Sequence, residues 1–181
     1  FDGDGRRVLV ANEGEPESYL PGAVNPEGTI SIIDLSRGVA KATVRTADFR
    51  AFSKTGLVER GVRVFGPGAT AAQDLEPEYI TVQGRTAWVT LQEANAVAVV
   101  DVPSATVTAI APLGLKDHSI PGNGLDASDR DGAVSIAAWQ GLFGLYQPDA
   151  IAGFRVGPQQ FLVTANEGDS RSITLIRNQE S

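Results

Sequence analysis

The chain of 181 residues has no cysteine and one histidine. Without cysteine there are no disulfides, no thiolate metal sites and no cysteine nucleophile. With one imidazole as well, a soft-metal site lacks its usual ligands. No apolar run approaches the roughly 18 residues of a membrane-spanning helix, and no signal-peptide pattern is visible. G-x-S-x-G, H-E-x-x-H and phosphate-cradling glycine loops are all missing. Basic side chains are in short supply, 15 Lys and Arg against 22 Asp and Glu, for a formal charge of −7. That balance disfavours nucleic acid, whose phosphates need a basic surface. The charge is uneven: residues 1–36 carry 2 basic and 7 acidic side chains, residues 37–63 carry 7 and 2, and residues 64–149 carry 3 and 10. The basic segment reads as a solvated face that balances its acidic neighbours.

The organising stretch lies between residues 75 and 111. LEPEYITV opens with a proline near its start, as the beginning of a strand tolerates. Gln83-Gly84 supplies a tight turn, TAWVTL follows, QEAN makes a polar loop, and AVAVVDV is an apolar run of strand length. ATVTAIA offers a fourth strand. Four consecutive antiparallel strands describe one blade of a β-propeller. The unit recurs: RRVLVANEGE and QQFLVTANEGD match its second strand and polar loop, aligning Glu13, Glu93 and Glu167. GTISIIDL matches AVAVVDV, aligning Asp34 on Asp101, and QPDAIAGFRV matches EPEYITV, aligning Asp149 on Glu78. The expected fold is therefore all-β, a propeller segment of about two to three four-stranded antiparallel blades. One domain spans residues 1–181, with insertions at about residues 48–72 and 112–146. The pattern starts and stops in mid-blade, so a segment of a larger protein is expected. A short helix near residues 53–60 fits the first insertion. In the second, Ile120, Leu125, Ile136, Trp139, Leu142 and Phe143 predict packing onto a core, and Trp88 and Trp139 read as core residues. The last ten residues offer a third strand for the final blade.

Three groups of residues could carry chemistry. If the repeats superpose, Glu13, Glu93 and Glu167 occupy equivalent corners of successive blades, with Asn12, Asn95 and Asn166 close by. Two carboxylates about 4 Å apart repel by roughly 4 kcal/mol at an effective dielectric near 20, so convergence calls for a cation, a proton or a basic partner. An all-oxygen donor set suits Ca²⁺. The alternative is that Asn-Glu-Gly shapes a turn. Second, Asp126, Asp129 and Asp131 lie in an Asp-rich loop open to Ca²⁺ or to ordinary turn capping. It is not an EF-hand: with Gly132 at loop position 6, Ala127 and Ala138 fall where ligands are required. Third, Asp117-His118-Ser119 places three catalytic residue types side by side, but adjacent side chains do not face one another, so it is no triad. His118 reads as a buried hydrogen-bonding residue.

The motifs VLVANEGEPESY, GTISIIDL, QDLEPEYITV, AWVTLQEANAVAVVDV, GLKDHSIPGNGLDASDRDGA, YQPDAIA and FLVTANEGD occur in this order. Together they resemble the bacterial choice-of-anchor I family, itself similar to the mesenchyme-specific cell-surface glycoproteins of animals. The resemblance covers residues 6–170 and implies an exported, periplasmic or surface-attached β-propeller, in a family sometimes joined to phosphatase or nucleotidase domains. It assigns no catalytic residues. The leading functional expectation is a non-catalytic envelope module for binding or assembly, stabilised by Ca²⁺. Its partner would be an envelope or surface-layer protein, or a fused domain. The alternatives are a metal-dependent phosphoesterase and a structural surface-layer subunit.

Overall fold

A computed structural model describes residues 1–18, 22–128 and 130–167. The β-rich runs of the central stretch become β4 (Pro77–Gln83), β5 (Thr86–Leu91), β6 (Ala96–Asp101) and β7 (Thr106–Pro112), one antiparallel sheet in sequence order. Burial follows the alternation of apolar residues. Ala87, Val89, Leu91, Ala96, Ala98, Val100 and Ile110 form the floor of the core at 0 % exposure, the Val, Leu and Ile side chains each contributing roughly 1.5–3 kcal/mol relative to exposure. Gly84, with a φ of 61°, closes the β4–β5 hairpin where a Cβ would be strained.

On one side lies a three-stranded sheet of β1 (Arg7–Asn12), β2 (Thr29–Asp34) and β3 (Thr43–Asp48). On the other is the hairpin of β12 (Pro148–Val156) and β13 (Gln159–Asn166). Backbone and side chains stitch both to the centre. Gly28 N donates to Ala72 O at 2.9 Å, Gly153 N donates to Thr81 Oγ1 at 2.9 Å, and Gln160 Nε2 donates to Gln83 Oε1 at 2.9 Å. The fold is thus all-β, built from small antiparallel sheets that close into no barrel or ring among the described residues.

The ladders bear out most of the repeat and correct one alignment. Arg7 pairs with Asp34 and Thr86 pairs with Asp101, so Asp34 and Asp101 are equivalent. Each caps the turn that follows, Asp34 Oδ1 accepting from Ser36 N and Asp101 Oδ2 from Ser104 N. The same count from Arg7 and Thr86 sets Glu13 level with Gln92. In the hairpin pairs, Pro77 opposes Leu91 and Pro148 opposes Asn166, which sets Glu167 level with Gln92 too. Glu93 therefore stands one residue further along its loop than the expected equivalence placed it.

The first insertion contains helix α1 (Lys54–Glu59), begun by Ser53, whose Oγ accepts from Gly56 N. A second helix, α2 (Ala71–Asp74), was not legible beforehand; Thr70 and Gln73 form its capping box. The second insertion is a pair of nested ladders, β8 (Leu115–Asp117) with β11 (Phe143–Leu145) and β9 (Leu125–Asp126) with β10 (Ile136–Ala137). Its apolar residues do not pack down as expected: Ile120, Ile136, Trp139, Leu142 and Phe143 are exposed, and Leu125 is half-buried. Strands of two or three residues hold their shape by backbone bonds, and Trp139 Nε1 donates to Leu125 O at 2.9 Å. Trp88 is half-buried and Trp139 is 40 % exposed, so neither is a core residue. The strand expected in the last ten residues lies outside the described residues.

Candidate functional site

Two inner strands carry the same irregularity. Register shifts between Pro77 and Ile80 in β4, and between Pro148 and Ala150 in β12. Such bulges re-aim side chains. Here they release Glu78 and Asp149, the two acids that follow equivalent prolines. Thr90, fully buried in β5, ties the bulges together: its Oγ1 accepts from Tyr79 N at 3.0 Å and donates to Asp149 O at 3.4 Å.

The β5–β6 loop supplies the next residues. Gln92 and Glu93 are 3 % and 9 % exposed. With the amide oriented to satisfy both groups, Gln92 Nε2 donates to the two Glu78 carboxylate oxygens at 2.8 and 3.2 Å. Asn95 holds the loop in a left-handed conformation, φ 52°. Its Oδ1 accepts from Tyr146 N and Gln147 N, at 2.9 and 3.1 Å, and its Nδ2 donates to Gly114 O at 2.8 Å. Asn95 is therefore an architectural residue, and it anchors the segment leading to Asp149. Gln147, next to Pro148, is also left-handed, φ 47°. Two strained residues thus flank the same corner.

Glu13 arrives from the neighbouring sheet. Asn12 Nδ2 donates to Thr29 Oγ1 and Ser31 Oγ, at 3.1 and 2.9 Å. Gly14 passes so close to residues 27–28 that a Cβ would lie 2.9 Å from Glu27 C and Gly28 N. The Asn-Glu-Gly triplet thus leaves β1 on a close backbone approach to residues 27–28, and Glu13 is acted on by Glu93 of the neighbouring sheet.

The acids at this corner act on one another. Burial first, then Glu93, Glu13, Asp149 and Glu76, push the Glu78 carboxyl up to about 8. Burial, then Glu15 and Glu93, raise Glu13. The turn-capping acids go the other way, Asp34 and Asp101 being held below the usual range by hydrogen bonds from Ser36 and Ser104. Glu93 Oε2 is buried and has no hydrogen-bond partner. Arg63 Nη1 reaches only the Glu93 main-chain carbonyl, at 3.1 Å, while its guanidinium lies over the Phe65 ring, 5.0 Å from the centroid.

Of the acids singled out in the sequence, Glu13 and Glu93 come together. Glu167 is exposed at the end of β13, its N–H donating to Gln147 O, and it does not act on Glu78 or Glu13. Asp126 and Asp131 sit in the exposed insertion and cap their own loop: Asp126 accepts from Ser128 N and Ser135 N, Asp131 from Ala133 N. Asp129 lies outside the described residues. His118 is buried, with Nδ1 2.6 Å from Asn123 O, the hydrogen-bonding role expected of it. Among the described residues no three acidic or imidazole groups stand close enough to hold a metal ion between them. The sequence reading missed Glu76, Glu78, Asp149, Gln92 and Thr90 as site residues. The repeated pairs Pro77-Glu78 and Pro148-Asp149 were the available signal.

No curated protein and no solved structure matches the chain. The choice-of-anchor I domain matches residues 1–181 in full. A domain of that kind implies an exported or surface-anchored protein. By that match the chain belongs to the choice-of-anchor I family.

Proposed function

We propose that the chain forms part of an exported β-propeller of the cell envelope, acting as a binding and assembly module whose acidic corner takes a cation. Residues 1–181 are one domain in this reading, with residues 48–72 and 112–146 as rim insertions. Shared ladder registers and shared bulges support successive blades. No helix among the described residues is long and apolar enough to cross a membrane. The observation that carries the reading is the convergence of acids from three sheets on Glu78, one of them the buried Glu93, whose Oε2 has no hydrogen-bond partner. Buried charge needs a counterion or donors. The partner is an envelope or surface-layer protein, or a fused domain, and Ca²⁺ is the inorganic cation to test, since the donors are all oxygens.

The test is thermal melting of the complete protein with Ca²⁺, with a basic ligand and with EDTA. A ligand that binds only the folded state at a hundredfold excess over its Kd adds about 2.7 kcal/mol. The melting temperature should rise with a cation, and that rise should be lost in Glu93→Gln. Identical curves under all conditions would remove the cation from the reading. Hydrolysis of a phosphate monoester, lost in Glu93→Gln with folding intact, would replace the binding module by a phosphoesterase.

A further inference from the structure

Resting on that reading, we propose that the acidic corner is a socket for the guanidinium of an arginine side chain presented by a partner protein. The socket is graded from rim to floor. Glu13 and Glu15 are exposed, Glu78 and Asp149 are half-buried, and Glu76, Gln92 and Glu93 are buried. Glu93, 9 % exposed, has one carboxylate oxygen lacking a partner.

The spread of the acids selects the shape of the cation. A hard metal needs six to eight oxygens at about 2.3–2.6 Å from one point. No such gathering occurs among the described residues, although the acids are near enough to act on one another. An ammonium likewise concentrates three donors on one atom. A guanidinium spreads five N–H donors over a rigid plane and meets carboxylates two bonds at a time. It can therefore bridge acids too far apart to share a metal ion, offering one edge to Glu93 and another to Glu78 or Glu13. The chain's own Arg63 gives its Nη1 to the Glu93 main-chain carbonyl, with its guanidinium over the Phe65 ring, and its bond to Glu93 is therefore to the backbone and not to the carboxylate. Charge complementarity points the same way, for the side chains that lift Glu78 are all acidic.

The measurement is calorimetric titration of the complete protein with Nα-acetyl-arginine amide, Nα-acetyl-lysine amide and CaCl₂ at constant ionic strength. The arginine amide should bind about tenfold more tightly than the lysine amide, because only it bonds bidentately. Glu93→Gln should weaken it at least tenfold, whereas Glu167→Gln should leave it unchanged. Should Glu93→Gln fail to fold, Glu78→Gln supplies the same comparison from the half-buried wall. Equal affinity for the two amides, or full affinity in the folded Glu93 and Glu78 variants, would overturn the socket. Binding of Ca²⁺ alone would overturn it while leaving the cation-binding reading in place. Binding of none of the three would remove both.

Discussion

Two places in this molecule are rich in acids, and they behave as opposites. In the loop of the second insertion, Asp126 and Asp131 each accept from main-chain N–H groups a few residues away, at 3.0–3.3 Å. These acids stabilise the loop that contains them, and water reaches them. At the corner, Glu13, Glu76, Glu78, Glu93 and Asp149 come from four segments and act on one another. Their proximity is imposed by the packing of three sheets, and it works against their charge. Acidity in a sequence marks a turn when the partners are local. It marks a candidate site when the fold brings acids together and leaves an oxygen unpaired.

The sharpest way to break this contrast is to part the sheets. Gly28 donates to Ala72 O, and a Cβ added there would lie 2.2 Å from Leu75 O, 2.6 Å from Pro77 Cδ and 3.0 Å from Glu13 O. Two of these are backbone atoms and one belongs to a proline ring, so none can swing aside. Gly28→Ala should cost about 3 kcal/mol or more by urea denaturation, and should bring the Glu78 pKa down by moving Glu13 away. Gly132, in the Asp-rich loop, has open space around it and a φ of +73°. Gly132→Ala should cost only about 1 kcal/mol of backbone strain. Equal losses would show that the sheet junction is softer than its contacts imply.

The next effect is on pH dependence. In the folded chain Glu78 keeps its proton to about pH 8, whereas the unfolded chain releases it near 4.5. Between those values the native state binds more protons, so stability falls as pH rises from about 4.5 to about 8 and is level beyond. Glu78 is half-buried, so after allowing for solvent screening the loss is about 1–2 kcal/mol. Denaturation from pH 4.5 to 9 should show this slope in the metal-free protein and a flatter one in Glu78→Gln. An unchanged slope in the variant would place the proton elsewhere.

Glu93→Gln should act in the unexpected direction. It keeps the shape of the side chain and removes a carboxylate that acts on both Glu13 and Glu78. Without ligand at pH 8 the variant should be more stable by about 1 kcal/mol, since a buried unpaired oxygen is a cost. Combined with Glu78→Gln the gains should fall short of additivity, because the two residues share one repulsion. A loss of stability would mean that Glu93 has a favourable partner in solution.

How much of this was legible follows the range of the interactions. The four strands of the central sheet were readable because alternation and turn residues are local signals, and α1 lies where a short helix near residues 53–60 was expected. Glu13 and Glu93 could be singled out because the repeat brought them forward. Glu78 could not, since its importance depends on a bulge held by Thr90 and on Asp149 from 71 residues further on. The exposed Trp139 failed for the opposite reason: an aromatic in a long loop suggests a core, yet the nested ladders need none. The one-residue error at Glu93 shows that a repeat aligned on residue type can slip where the ladder register cannot.

The smallest effect completes the contrast. Asp126 accepts two main-chain N–H groups, from Ser128 at 3.3 Å and Ser135 at 3.0 Å, and it is exposed. Water can replace an exposed acceptor, so the net value of these bonds is well below that of buried ones. Asp126→Ala should lower stability by about 0.5 kcal/mol, within the usual range of surface substitutions. It should leave arginine-amide affinity and the pH slope untouched, because Asp126 is not among the groups that act on Glu78. Paired with Glu78→Gln, its effect should add simply, as expected for sites without shared partners. The check is a double-mutant cycle by urea denaturation at pH 8. A coupling above about 0.5 kcal/mol would mean that the Asp-rich loop reaches the corner in solution, and the two acidic regions would then form one site.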